Sequence, residues 1–197
     1  MARKRVAILI SGRGSNMVAL IDAAKDPAYP AEIVVVVSND PSAQGLQRAA
    51  ASGIATAIVD HKSFGKDREA FERALQAELA KHRVDIVCLA GFMRLLTPWF
   101  IGQWKGRLIN IHPALLPAFK GLDTHARALH EGATEHGATV HFVVPEMDSG
   151  PIILQGKVAI QPGDTEAALA ARVLAVEHRI YPEALRMVAE GRVAQRD

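Results

Sequence analysis

The chain has 197 residues, of which 49% are hydrophobic, 22% charged and 5% aromatic. That is enough for one domain, here residues 1–197, with a sizeable core, and it excludes disordered, collagen-like and low-complexity classes. Twenty-three Lys and Arg against 21 Asp and Glu leave +2, too balanced for a dedicated nucleic-acid surface, and the lone Cys88 excludes a disulfide framework.

Arg3-Lys4-Arg5 followed by apolar residues 6–10 superficially matches a secretion signal. The apolar run is too short, and Gly12-Arg13-Gly14 stands where a cleavage site belongs, so a cytoplasmic chain entering its first strand is expected. The run 33–37 is far below membrane-spanning length. Both runs are short and continuously apolar, as in strands buried on two faces. Residues 16–25 carry Val18, Leu20, Ile21 and Ala24 at helical spacing; 41–51 reads as a helix stopped at Gly53, and 55–59 as a third strand. In 67–81, Ala70, Phe71, Ala74, Leu75 and Leu79 form one helical stripe. Residues 86–89 and 108–111 are the fourth and fifth strands, with a short helix near 98–103 between them.

Strands separated by helices imply parallel βαβ crossovers. After residue 112 the texture changes: a Pro-rich loop, a helix at 123–131, and strands at 138–144 and 152–160 joined by only seven residues. Such a short connection predicts an antiparallel hairpin at the sheet edge. A final helix starts near Thr165, with Pro182 expected to break it. The fold class is α/β: a doubly wound, mostly parallel, Rossmann-like sheet with an antiparallel strand pair near its C-terminal part.

Ligands in such sheets sit beyond the carboxyl ends of the strands. Ser11-Gly12-Arg13-Gly14-Ser15-Asn16 ends the first strand and opens a helix, where backbone N–H groups and the helix dipole favour an anion. Met17 replaces the third Gly of a dinucleotide fingerprint and no Gly-Lys-Ser/Thr follows, so a single phosphate fits better; a plain tight turn remains the alternative. In Asn110-Ile111-His112-Pro113, alternation puts Asn110 and His112 on one face. A carboxamide and an imidazole there suit acyl chemistry, and equally a structural Asn–His pair. Asp148 is placed to reach back to His112, or merely to make a turn with Ser149-Gly150. His125, His136, His141 and His178 show no metal-ligand spacing, and Cys88 reads as a core thiol.

These segments, with Ala90-Gly91-Phe92-Met93-Arg94, Gly121-Leu122-Asp123-Thr124-His125, Val140-His141-Phe142-Val143 and Glu177-His178-Arg179-Ile180-Tyr181-Pro182, run nearly end to end. Together they resemble the folate-dependent phosphoribosylglycinamide formyltransferases. The resemblance implies that Asn110, His112 and Asp148 are catalytic, and that Gly14, Ser15, Asn16 and Glu177 bind phosphoribosylglycinamide. It places Arg68, Met93, Arg94, Leu95, Leu96, Asn110 and Val143 on the side of the co-substrate 10-formyltetrahydrofolate, with no metal, nucleic acid or membrane involved and a homodimer left open. Arg13 stands where that family often has Asn or Gly, Ala114 replaces a frequent Ser, and Lys120 a frequent Pro. A formyltetrahydrofolate hydrolase would use the same trio on water, but that family carries an extra N-terminal domain. A methionyl-tRNA formyltransferase would need a C-terminal RNA-binding domain and a basic surface. A non-catalytic nucleotide-binding module needs neither the Asn–His pair nor the Asp.

Overall fold

The computed structural model describes residues 2–195. The chain runs β1 (Lys4–Ile10), α1 (Ser15–Ala24), β2 (Ala31–Ser38), α2 (Gln44–Ala51), β3 (Thr56–Ile58), α3 (Arg68–Lys81), β4 (Ile86–Leu89), α4 (Pro98–Gln103), β5 (Leu108–His112), α5 (Thr124–His130), β6 (Glu135–Phe142), β7 (Ile152–Ala159) and α6 (Glu166–Ala189). The sheet order is β3-β2-β1-β4-β5-β6-β7. Strands β1 to β5 are mutually parallel, whereas β6 is antiparallel to both β5 and β7. The predicted class and the edge hairpin are both present.

Strand alternation builds the two layers. Val6, Ile8 and Ile10 of β1 face a core with Met17 and Leu20 of α1 and Val173 and Tyr181 of α6. Ala7 and Leu9 face the opposite core of Phe71 and Leu75 from α3 and Phe100 and Trp104 from the α4 region. Full burial of such side chains contributes about 1.5–3 kcal/mol each, which makes the central strands a rigid platform for whatever stands at their ends. After β3 the chain crosses β1 to lay down β4, so the connections diverge between β1 and β4 and leave a crevice at their carboxyl ends. Across it, Ser11 N donates to Gly91 O at 3.1 Å.

Three expectations need correction. Residues 41–43 are a turn, because the Asp40 carboxylate accepts from Ser42 N (2.8 Å) and Oγ (2.7 Å) and the helix begins at Gln44. Strand β6 spans 135–142 rather than 138–144, paired with β7 from Glu135↔Ala159 onward; its polar residues had hidden its start. Pro182 does not break α6, which runs unbroken over 24 residues from Glu166 to Ala189. Ile180, Tyr181, Ala184 and Leu185 are buried on both sides of it, and that packing outweighs the backbone hydrogen bond a proline forgoes. Among the described residues no helix is long and apolar enough to cross a membrane.

Candidate active site

At the C-terminal end of β5, Asn110 pairs with Leu89 of β4 on one side and with His141 of β6 on the other. His112 is the last strand residue and is 6% exposed. Its Nε2 lies 2.8 Å from Phe119 O, a carbonyl that can only accept, so Nε2 carries the hydrogen. Its Nδ1 faces Asp148 Oδ2 at 3.5 Å. A second ring proton would therefore meet a carboxylate, and the imidazolium form would have an acceptor at each nitrogen.

Asp148 reaches this position because the β6–β7 connection folds back over the sheet. Its backbone lies in the left-handed region, φ 51°, a conformation that costs a non-glycine residue on the order of 1 kcal/mol and that Asp tolerates better than most. Gly150 permits the fold: a Cβ there would lie 1.7 Å from Phe142 O. Gly121 N donates to Asp148 Oδ2 at 2.9 Å, so the 119–121 segment meets both halves of the pair, by its carbonyl at His112 and its N–H at Asp148. The Phe119 ring, edge-on to His136 at 5.8 Å between centroids, seats that segment.

His141 completes the group. Its Nδ1 lies 2.9 Å from Phe142 O and so must donate. Burial, opposed by that hydrogen bond and by the Asp148 charge, lowers its pKa and keeps the ring neutral. The lone pair on Nε2 then accepts from Asn110 Nδ2 at 3.3 Å, which fixes which end of the carboxamide is the amide nitrogen. One N–H of Asn110 is thereby held and the other left for a ligand oxygen.

Two strand spacings away, about 10 Å, the glycine turn after β1 lines a cavity of about 290 Å³ that also includes Ala90, Gly91 and Met93. Gly14 is the N-cap of α1 with φ 70°, and no side chain caps the helix, so neither Ser15 nor Asn16 serves as a mere cap. No acidic residue stands in the first turn. Asn16, buried at the same turn, donates from Nδ2 to Glu177 Oε2 of α6, while its own Oδ1 has no partner. Burial raises the Glu177 pKa and the Asn16 hydrogen bond opposes the rise.

Of the other predicted residues, Met93 lines the same cavity. Met93 and Leu95 are exposed, at 69% and 61%, and Met93 N is held by Ser11 Oγ at 2.7 Å. Leu96 and Val143 pack against one core cluster, and Arg94 is half-buried between the two exposed residues. The far end of this segment is tied by Thr97 N to the buried Glu72 carboxylate at 2.6 Å. Arg68 lies one turn before Glu72 on the same helical face, exposed, with no contact to the Asn110–His112–Asp148 group.

A formyl transferase family model matches residues 4–185. The chain belongs to the formyl transferase family. It is 47% identical over 188 residues to the phosphoribosylglycinamide formyltransferase of Escherichia coli, covering 95% of this chain and 88% of that one. It is 48% identical over 191 residues to the human trifunctional purine biosynthetic protein adenosine-3, covering 97% of this chain but only 19% of that protein's length. Among solved structures, the phosphoribosylglycinamide formyltransferase of Brucella melitensis matches with a TM-score of 0.92 at 52% identity, over 98% of this chain and 100% of that one.

Within this family member, sequence reasoning missed two residues beside the site. His141 was one of several unassigned histidines; its contact depends on the β5–β6 pairing, which no local pattern reveals. Gly45 of α2 forms the floor under the glycine turn: it donates to Gly12 O at 3.0 Å, and a Cβ would lie 2.4 Å from Ile10 Cδ1 and 3.4 Å from Gly14 Cα. The remaining histidines stay outside. His136 is pushed down to about 4, first by burial and then by His125, whose Nδ1 is 3.1 Å away. His61 is half-buried, its Nδ1 2.8 Å from Asn39 O. Cys88 is a buried thiol pushed up to about 12, inert as expected.

Proposed function

We propose that this chain transfers the formyl group of 10-formyltetrahydrofolate to the amine of 5-phosphoribosylglycinamide. The observation that carries the reading is the convergence of a carboxamide, an imidazole and a carboxylate at the β5 end, within phosphosugar reach of a backbone anion cradle. The relatives that bear the name of this activity support it over most of their length in the single-domain case.

In this reading the unprotonated amine attacks the formyl carbon and a new C–N bond forms. The bond from that carbon to N10 of the folate breaks, the amine loses a proton and N10 gains one. Negative charge builds transiently on the formyl oxygen. The free N–H of Asn110 meets it, and a protonated His112 supplies positive charge alongside. Both imidazole nitrogens already face acceptors, so His112 acts first through charge and proton storage, with Asp148 stabilising that charge. Gly14, Ser15 and Asn16 receive the phosphate and Glu177 the ribose or amine end. Met93, Leu95, Leu96 and Val143 line the folate side, with Arg68 and Arg94 near its acidic tail. None of these steps calls for a metal.

The test is to mix the purified chain with 10-formyltetrahydrofolate and follow its deformylation with and without phosphoribosylglycinamide. Deformylation that requires the ribonucleotide is expected. Equal rates without it would mean a hydrolase, and no reaction in either case would overturn the reading.

A further inference from the structure

Arg13 sits in the glycine turn between Gly12 and Gly14, exposed and lining the cavity at the head of α1. Among the described residues it takes no hydrogen bond, ion pair or aromatic contact. Other arginines are engaged: Arg5 with Glu32, Arg73 with Glu69 and Trp99, Arg172 with Asp164. No carboxylate lines the cavity, and Arg13 is the charged group among its lining residues. A Cβ at Gly12 would meet nothing within 4 Å, so the space beside the turn is open to a folding guanidinium. A second, independent sign of a ligand is Asn16, which lines the same cavity and is 8% exposed: its unpartnered Oδ1 is an acceptor, suited to a hydroxyl or amine elsewhere on the molecule whose phosphate Arg13 would meet.

We infer that Arg13 reads the charge of the substrate phosphate, its guanidinium closing over the anion from the solvent side while the turn's N–H groups hold it from below. This rests on the proposed function and assigns to Arg13 a part of the selectivity that the backbone alone would otherwise carry. Backbone N–H groups bind any oxyanion at a helix start, whereas a guanidinium adds full charge and a planar fork suited to phosphate oxygens. An exposed fork is also screened by salt, so the gain shrinks as ionic strength rises.

The test compares wild-type enzyme, Arg13→Ala and Arg13→Lys on phosphoribosylglycinamide and on its dephosphorylated riboside, at low and high salt. One charge-assisted hydrogen bond corresponds to about 10- to 100-fold. Arg13→Ala is expected to raise KM for the ribonucleotide by about that factor and to narrow the ribonucleotide-to-riboside preference in kcat/KM equally. The KM for the folate should hold. Arg13→Lys should recover part of the loss, and the salt dependence of KM should flatten in the alanine variant. The inference is overturned if Arg13→Ala keeps the ribonucleotide preference, or if it weakens ribonucleotide and riboside alike, which would mark a residue that only shapes the turn. A wild-type enzyme that handles both substrates equally would instead overturn the phosphate reading of the cradle itself.

Discussion

Replacing His141 by Leu should slow formyl transfer although His141 faces Asn110 rather than the formyl oxygen. The side chain holds one N–H of Asn110 on its Nε2 at 3.3 Å, and its own tautomer is set by Phe142 O. Leucine keeps the volume and removes the acceptor, leaving the carboxamide free to rotate or flip. A neutral hydrogen bond contributes about 0.5–1.5 kcal/mol, so kcat should fall by about 3- to 10-fold. Complete loss of an oxyanion donor, as in Asn110→Ala, costs about 10²–10³-fold and sets the upper bound. His141→Gln, whose carbonyl oxygen reaches the same place, should restore most of the loss. The pH profile supplies a readout that a structural role would not move. Burial holds His141 below its ordinary 6.5. In acid its Nε2 takes a proton, turns donor towards Asp148 Oδ1, now 3.8 Å away, and releases Asn110. The ratio of kcat for the Gln variant to wild type should therefore rise as pH falls. Stopped-flow deformylation at saturating substrates measures all of this, and the Asn110→Ala background provides the control. If His141→Leu costs the same factor with and without Asn110, the two residues act independently and the positioning role is refuted.

Asn110→Ala and His112→Ala should each lower kcat by at least about 10²-fold with unchanged circular dichroism; near-native turnover in either removes that residue from the chemistry. Gly45→Ala should push Ile10 and the glycine turn apart, raising KM for the ribonucleotide while leaving the folate KM within about 2-fold; a change in folate KM alone would contradict the floor role. Glu177 has a folded-state pKa raised above 4.5 by burial, so its stabilising protonation is present in acid and lost as pH rises through the folded value. Glu177→Gln should therefore gain melting temperature relative to wild type at neutral pH and not in acid; a pH-independent difference would show that the carboxyl is not desolvated.

The sheet was legible because its central strands are short apolar runs buried on both faces, and β1 shows why: its alternate residues feed two separate cores. Asn110 and His112 were legible because two-residue periodicity is local. Asp148 was anticipated from the shortness of the β6–β7 connection, although its left-handed backbone and its hold on Gly121 N were not. What escaped depends on contacts between distant segments. His141 meets Asn110 only through antiparallel register across 31 residues, and Gly45 meets Gly12 only because α2 packs under the turn. Pro182 misled for the converse reason, since a local rule lost to the packing of Tyr181 and Leu185.

The most direct measurement is to supply 10-formyltetrahydrofolate carrying an isotopically labelled formyl carbon and to locate the label after one turnover. Label bonded to the amine of phosphoribosylglycinamide, in equal amount to the tetrahydrofolate released, is the predicted result. Label recovered as free formate, with the ribonucleotide unchanged, would contradict formyl transfer to that amine and assign the Asn110–His112–Asp148 group to hydrolysis.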